Sequence, residues 1–202
     1  MFIIGLTGGI GTGKSTVAGV LQKEGAAIVN ADVVGHEVYQ VGRPAYHEVI
    51  HAFGEGVLDA DKAIDRKKLG AIVFGDPKEL AKLNSIVHPR MKGMMREKLQ
   101  ELQRSGAKIA VIEAAILFEA RWDDLANETW VTSAPPEIAS RRVAERSGFT
   151  QDQVMERIRA QMPNDERVQR ADIVIDTSED MEQTIARTLE KWEELQRRLP
   201  DA

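Results

Sequence analysis

Five short apolar stretches punctuate the chain, at residues 2–6, 27–30, 108–113, 128–132 and 172–176, each apolar or β-branched with no regular polar alternation. Strands covered on both faces have this composition, so the runs predict a buried parallel sheet. Between them apolar positions recur at helical spacing, predicting helices over 17–24, 76–105, 135–146, 151–160 and 179–198. Alternating strands and helices imply an α/β fold with right-handed crossovers. The spacing is uneven. Residues 33–105 separate the second strand from the third and read as a mostly helical insert, a home for a second substrate. Residues 147–170, polar and charged, separate the fourth strand from the fifth and read as a lid. The expected organisation is one domain over 1–202, with a core of about 1–32, 106–146 and 171–202 around those two inserts.

The first strand runs directly into Gly8-Gly9-Ile10-Gly11-Thr12-Gly13-Lys14-Ser15, which satisfies G-x-x-x-x-G-K-[ST] at every fixed position. Glycines let the backbone take positive φ and approach a phosphate without a Cβ in the way. Successive N–H groups and the N-terminus of the next helix then face the anion. Lys14 is expected to reach the β- and γ-phosphates of ATP, and the Ser15 hydroxyl to ligate Mg²⁺. The bland alternative, a glycine-rich turn, does not account for a phosphate-loop pattern lying between a buried strand and an amphipathic helix. The fold class expected is therefore a P-loop NTPase-type parallel sheet flanked by helices, with the helical substrate-binding insert and the lid.

Other candidates carry open alternatives. Asp32 follows the second strand, beyond the carboxyl end where open α/β sheets bind ligands. It can take a proton from an attacking hydroxyl or hold a metal-bound water, or it can simply cap a helix that starts at Val33. Glu113 ends the third strand as a Walker B acid would, or faces solvent; Glu119 is a weaker candidate of the same kind. Arg142 and Arg146, four apart, share a helix face suited to clamping a transferring phosphate. The alternative is a solvated face with ordinary ion pairs. His88 precedes Pro89, the usual setting of a turn residue, and Trp122, Trp130 and Trp192 read as packing. The charge-dense 190–198 reads as a solvated helix face.

Composition narrows the partners. The chain of 202 residues is 43% hydrophobic and 29% charged with a formal net charge of −5, which gives no basic footprint for nucleic acid. There are no cysteines, hence no disulfide framework and no thiolate chemistry. No run approaches the ~20 apolar residues that cross a bilayer, and the opening apolar run is too short for a secretory leader. The expectation is a cytoplasmic protein without membrane or nucleic-acid partners, a monomer or weak homo-oligomer.

The motifs together resemble the bacterial dephospho-CoA kinases over nearly the whole chain. The resemblance rests on the extended opening from Gly5-Leu6-Thr7 to Thr16-Val17-Ala18, and on Asn30-Ala31-Asp32 with His36-Glu37. It continues through Asp65-Arg66, Leu69-Gly70, Phe74 and Val87-His88-Pro89, then Leu117-Phe118-Glu119, Arg142 with Arg146, Gln161, and Ala171-Asp172 with Val174-Ile175-Asp176. It implies transfer of the ATP γ-phosphoryl group to the ribose 3′-hydroxyl of dephospho-CoA. By position it makes Asp32 the base, with Lys14 and Arg142 as catalytic partners. It further implies ATP contacts from Gly9, Gly11, Thr12, Gly13, Lys14, Ser15, Thr16, Arg142 and Arg146, and substrate contacts from Asp32, Arg66 and His88. Asn30 departs from the family's usual first Asp, Thr12 from the commoner Ser, and Ala115 from the usual Pro.

Overall fold

A computed structural model describes residues 1–199; the last three positions of the expected 171–202 core segment lie outside the described residues. The five apolar runs form one sheet from β1 (Phe2–Gly8), β2 (Ala27–Asn30), β3 (Ile109–Glu113), β4 (Glu128–Ser133) and β5 (Ile173–Asp176), in the order β2-β3-β1-β4-β5. The β1–β3, β1–β4 and β4–β5 ladders are parallel. All five residues of β3 are buried, which is why no alternation is visible in that run. Leu6 pairs with Glu113 on one side and Trp130 on the other, so the carboxyl ends of β1, β3 and β4 share one edge of the sheet. Around β1 the chain reverses its direction of travel across the sheet, and crevices for ligands form at such a switch.

Two compact units divide the chain, Met1–Val29 with Leu99–Ala202, and Asn30–Lys98. In the first, α1 (Lys14–Lys23) and α9 (Met181–Arg198) pack on the sheet. Val17, Ala18 and Leu21 from α1, and Trp192 and Leu195 from α9, join Ile4, Leu6, Val111, Trp130 and Ile175 in one cluster. Each large apolar side chain so buried contributes roughly 1.5–3 kcal/mol. All three tryptophans are buried, as packing residues should be. The remaining helices of this unit are α6 (Pro136–Ser147), α7 (Gln151–Arg159) and α8 (Asn164–Arg170). Charge density alone predicts that 190–198 is solvated, yet Trp192 and Leu195 give α9 a buried stripe there. Arg198 also pairs with the mostly buried Glu128 at 3.0 Å.

The second unit holds α2 (Ala31–Glu37), α3 (Pro44–Phe53), α4 (Arg66–Val73) and most of α5 (Pro77–Arg104). Of the alternatives open for Asp32, capping does not hold. Asp32 does not cap a helix beginning at Val33; the chain is still extended at Asn30, and the helix starts at once with Ala31. The orphan N–H groups of Asp32 and Val33 therefore donate to the Asn30 side chain, at 2.8 and 3.2 Å, and Asp32 occupies the first turn. Asp65 caps α4 in the same way, and the N–H groups of Lys68 and Lys67 hold its carboxyl below the usual range.

The helix predicted over 76–105 is α5, and it runs through His88 despite the local turn signal of His88-Pro89, because Val87, Met91, Met95 and Leu99 form a stripe of buried residues along it. Four buried apolar side chains, at roughly 1.5–3 kcal/mol each, outweigh the ~3 kcal/mol penalty of Pro89 in a helix interior. Burial lowers the His88 pKa from the ordinary 6.5, since desolvation disfavours the imidazolium.

Two measurements check this description. In urea unfolding, Asn30→Ala should lose about 1 kcal/mol while Asn30→Asp, an equivalent cap, stays near the parent. The depressed His88 pKa means that the unfolded chain binds the proton first. Stability from this group is present above pH 6.5 and lost as pH falls through the folded value. Replacing His88 by Gln should flatten that acid-side loss in a pH series of unfolding curves.

Candidate active site

The loop after β1 is shaped by two left-handed glycines. Gly13 sits at φ 81° and ψ 15° directly before α1, and Gly11 at φ 78° packs so closely on α6 that a Cβ would collide with the Ala139 carbonyl. Helical periodicity alone suggests a start at residue 17, but α1 begins at Lys14, as the glycine turn allows. No side chain caps α1, so its first N–H groups and its positive end are left for an anion.

Thr12 anchors the loop. The residue is 4% exposed; its hydroxyl donates to the Gly9 carbonyl at 2.8 Å and lies 2.7 Å from the Thr132 hydroxyl, while Thr177 donates to the Thr12 carbonyl at 2.8 Å. Thr12 thus holds the loop against β4 through its side chain and against the end of β5 through its carbonyl. Thr16, half-buried on α1, donates its N–H to the Gly13 carbonyl at 3.0 Å.

The Lys14 ammonium and the Ser15 hydroxyl both donate to Oε1 of Glu113, each at 2.8 Å. Glu113 is only 6% exposed, so it is not a solvent-facing strand end. β3 delivers a carboxylate beneath the loop because Glu113 is the last residue of β3, in register with Leu6 just before the loop. A hydroxyl beside a carboxylate is the oxygen donor pair that Mg²⁺ accepts alongside water and substrate phosphates. The described residues contain no cluster of three or more His, Asp or Glu side chains suited to a metal.

Arg142 and Arg146 lie on α6, and Arg142 donates to the Glu179 carbonyl at 2.6 Å. Glu179 also pairs with Arg187, which binds Asp176 at 3.3 Å. Glu179 raises the Arg187 pKa, and the Ser178 N–H lowers that of Asp176. Arg142 is therefore half-buried and tied to the segment after β5, while Arg146 is exposed in the last turn. Within the second unit, Asp32 and His36 stand four apart on α2, and Arg66 Nη1 lies 2.6 Å from His36 Nε2. His36 and Arg66 are therefore brought together, as an exposed pair; His88, on α5, is half-buried.

Sequence reasoning missed one residue entirely. Arg167 on α8 is 1% exposed, bonded to Glu119 Oε1 at 2.5 Å and to the Met162 carbonyl at 2.6 Å. Gln161, noted only within the resemblance, accepts the Ile10 N–H at 3.0 Å. In a charged stretch such as 164–170, nothing in the periodicity marks one arginine as buried.

A parallel sheet, a glycine loop opening a helix, and a lysine–serine–carboxylate cluster define a P-loop kinase. A family model for dephospho-CoA kinase matches residues 2–183, and the chain belongs to that family. It is 47% identical over 193 residues to the dephospho-CoA kinase of Carboxydothermus hydrogenoformans, covering 94% of each chain. A solved structure from Thermus thermophilus matches with TM-score 0.81 and 33% identity, over 95% of this chain and 96% of the other. The dephospho-CoA kinase of Campylobacter jejuni has the same fold, with TM-score 0.73 and 22% identity over 96% and 97% of the two chains. No helix among the described residues is long and apolar enough to cross a membrane.

Replacing Glu113 by Gln leaves the Lys14 ammonium without its counter-charge. We expect a loss of about 1–3 kcal/mol in the nucleotide-free protein by urea unfolding, with part of it restored by added ATP, whose phosphates supply the missing negative charge.

Proposed function

We propose that this chain transfers the γ-phosphoryl group of ATP to the ribose 3′-hydroxyl of dephospho-CoA, giving coenzyme A and ADP. The observation that carries this reading is the convergence of Lys14, Ser15 and Glu113 at the mouth of the loop, in a chain of this family. The N–H groups of Gly11, Gly13, Lys14 and Ser15 cradle the β-phosphate in a loop that also carries Gly9, Thr12 and Thr16, and Lys14 exchanges its bond to Glu113 for the β- and γ-phosphate oxygens. Ser15, with Glu113 beside it, would hold Mg²⁺, which would supply positive charge to offset that of the phosphates.

Asp32 accepts the proton of the 3′-hydroxyl as the new O–P bond forms and the bond from the γ-phosphorus to the bridging oxygen breaks. Its place in the first turn of α2 supports this role, because the carboxylate there is exposed and open to a substrate hydroxyl. Arg66, with His36 beside it, and His88 give the insert of about 33–105 cationic and polar groups for an anionic substrate. The lid of about 147–170 closes over ATP and excludes water, which otherwise competes as acceptor. Arg142, released from the Glu179 carbonyl, and Arg146 then face the transferring phosphoryl group. The protein acts in the cytoplasm as a monomer or weak homo-oligomer.

ATP consumption should rise on adding dephospho-CoA, with the new phosphate located on the 3′-oxygen of the product. Stimulation instead by another nucleoside or nucleotide would assign a different acceptor. Lys14→Ala should lower kcat about 100-fold while the fold survives by circular dichroism. Asp32→Asn should lower kcat by about 100-fold or more with the ATP KM held within about twofold. Unchanged turnover in Asp32→Asn would remove the proposed base.

A further inference from the structure

Arg167 is the most deeply buried charged side chain among the described residues, at 1% exposure. Burying a guanidinium is costly unless its hydrogen bonds are met, and an apolar side chain would fill the same space at less cost. Two of its nitrogens are satisfied, by Glu119 Oε1 and by the Met162 carbonyl, while Nε has no hydrogen-bond partner. Packing alone therefore does not account for Arg167.

Its position offers a reason. A Cβ placed on Gly9 would lie 3.7 Å from Arg167 Nη1 and 3.6 Å from Gln161 Oε1, so both side chains border the phosphate loop. Gln161 Oε1 accepts the N–H of Ile10, the residue between Gly9 and Gly11. The carbonyl that Arg167 holds belongs to Met162, the residue after Gln161. The turn between α7 and α8 is thus fixed on one side by a buried guanidinium and on the other reaches the loop through a side-chain amide.

We infer that Gln161 and Arg167 are positioning residues for the nucleotide seat. Arg167 clamps the α7–α8 turn through Met162 and Glu119, and the clamped Gln161 pins the Ile10 N–H, setting the loop before ATP arrives. Glu119 gains a function through this pair: it neutralises Arg167, so that the guanidinium is held as a strut. This inference rests on the loop being the ATP seat.

The test compares Gln161→Leu, which keeps bulk but has no acceptor, with Gln161→Glu, which keeps an acceptor oxygen. Its two readouts are steady-state kinetics and hydrogen exchange of the Ile10 amide in nucleotide-free protein. Gln161→Leu should raise the ATP KM about fivefold, the scale of one net hydrogen bond, leave the dephospho-CoA KM unchanged, and speed Ile10 exchange by a similar factor. Gln161→Glu should restore the Ile10 protection. Arg167→Lys keeps the charge but not the planar fork, and should speed Ile10 exchange as Gln161→Leu does. Unchanged Ile10 exchange and ATP KM in Gln161→Leu would overturn the inference, as would equal changes in both KM values. The exchange readout needs no acceptor, so it stands apart from the kinase reading, which fails if the parent protein shows no stimulation by dephospho-CoA.

Discussion

The molecule is organised around a concentration of positive potential that it must hold before any substrate arrives. The uncapped end of α1, the loop N–H groups and the Lys14 ammonium all converge at the carboxyl edge of the sheet. Left alone, such groups repel one another and are partly cut off from water. Glu113 supplies the balancing charge from beneath, buried at the end of β3, and takes a second bond from Ser15. The arrangement suits a site where one anion stands in for another. Under the proposed reading, a phosphate that enters finds donors already aimed, and the carboxylate it displaces from Lys14 stays beside Ser15.

Keeping those donors aimed is the work of the surrounding threonines. Thr12, Thr132 and Thr177 link the loop to the ends of two neighbouring strands through short, mostly buried hydrogen bonds. The sheet is rigid because its middle strands are covered on both faces, and the loop inherits that rigidity through three hydroxyls. Asn30 does a comparable job for the second unit, where the cap sets where α2 begins and so fixes Asp32 in its first turn.

Much of this was legible in the sequence, for reasons that differ by residue. The strands were readable because each is short and mostly apolar or β-branched, β3 being buried throughout, and the loop because glycine, lysine and serine answer separate physical demands at fixed spacing. Glu113 was ambiguous between metal site and solvent, since a strand's sequence does not say what lies above its end. Asp32 stayed open between base and cap because two good capping residues stand two positions apart, and only the backbone shows that Asn30 is the cap. His88 carried two conflicting signals, a histidine–proline pair that locally suggests a turn and the helical periodicity over 76–105; the second prevails because its stripe of buried residues spans three turns of helix. Arg167 left no trace. Its burial depends on chain segments far from it in sequence, and α8 otherwise has the composition of a surface helix.

The aromatic residues have sorted themselves in a way that makes the protein its own spectroscopic probe. Trp122, Trp130 and Trp192 all belong to the sheet unit and are all shielded from water, whereas Tyr39 and Tyr46, the only tyrosines, both belong to Asn30–Lys98. Selective excitation of indole reports on the sheet unit alone, and phenol absorbance reports on the helical one. The melting of the two halves can therefore be followed separately, by colour, in the unlabelled chain.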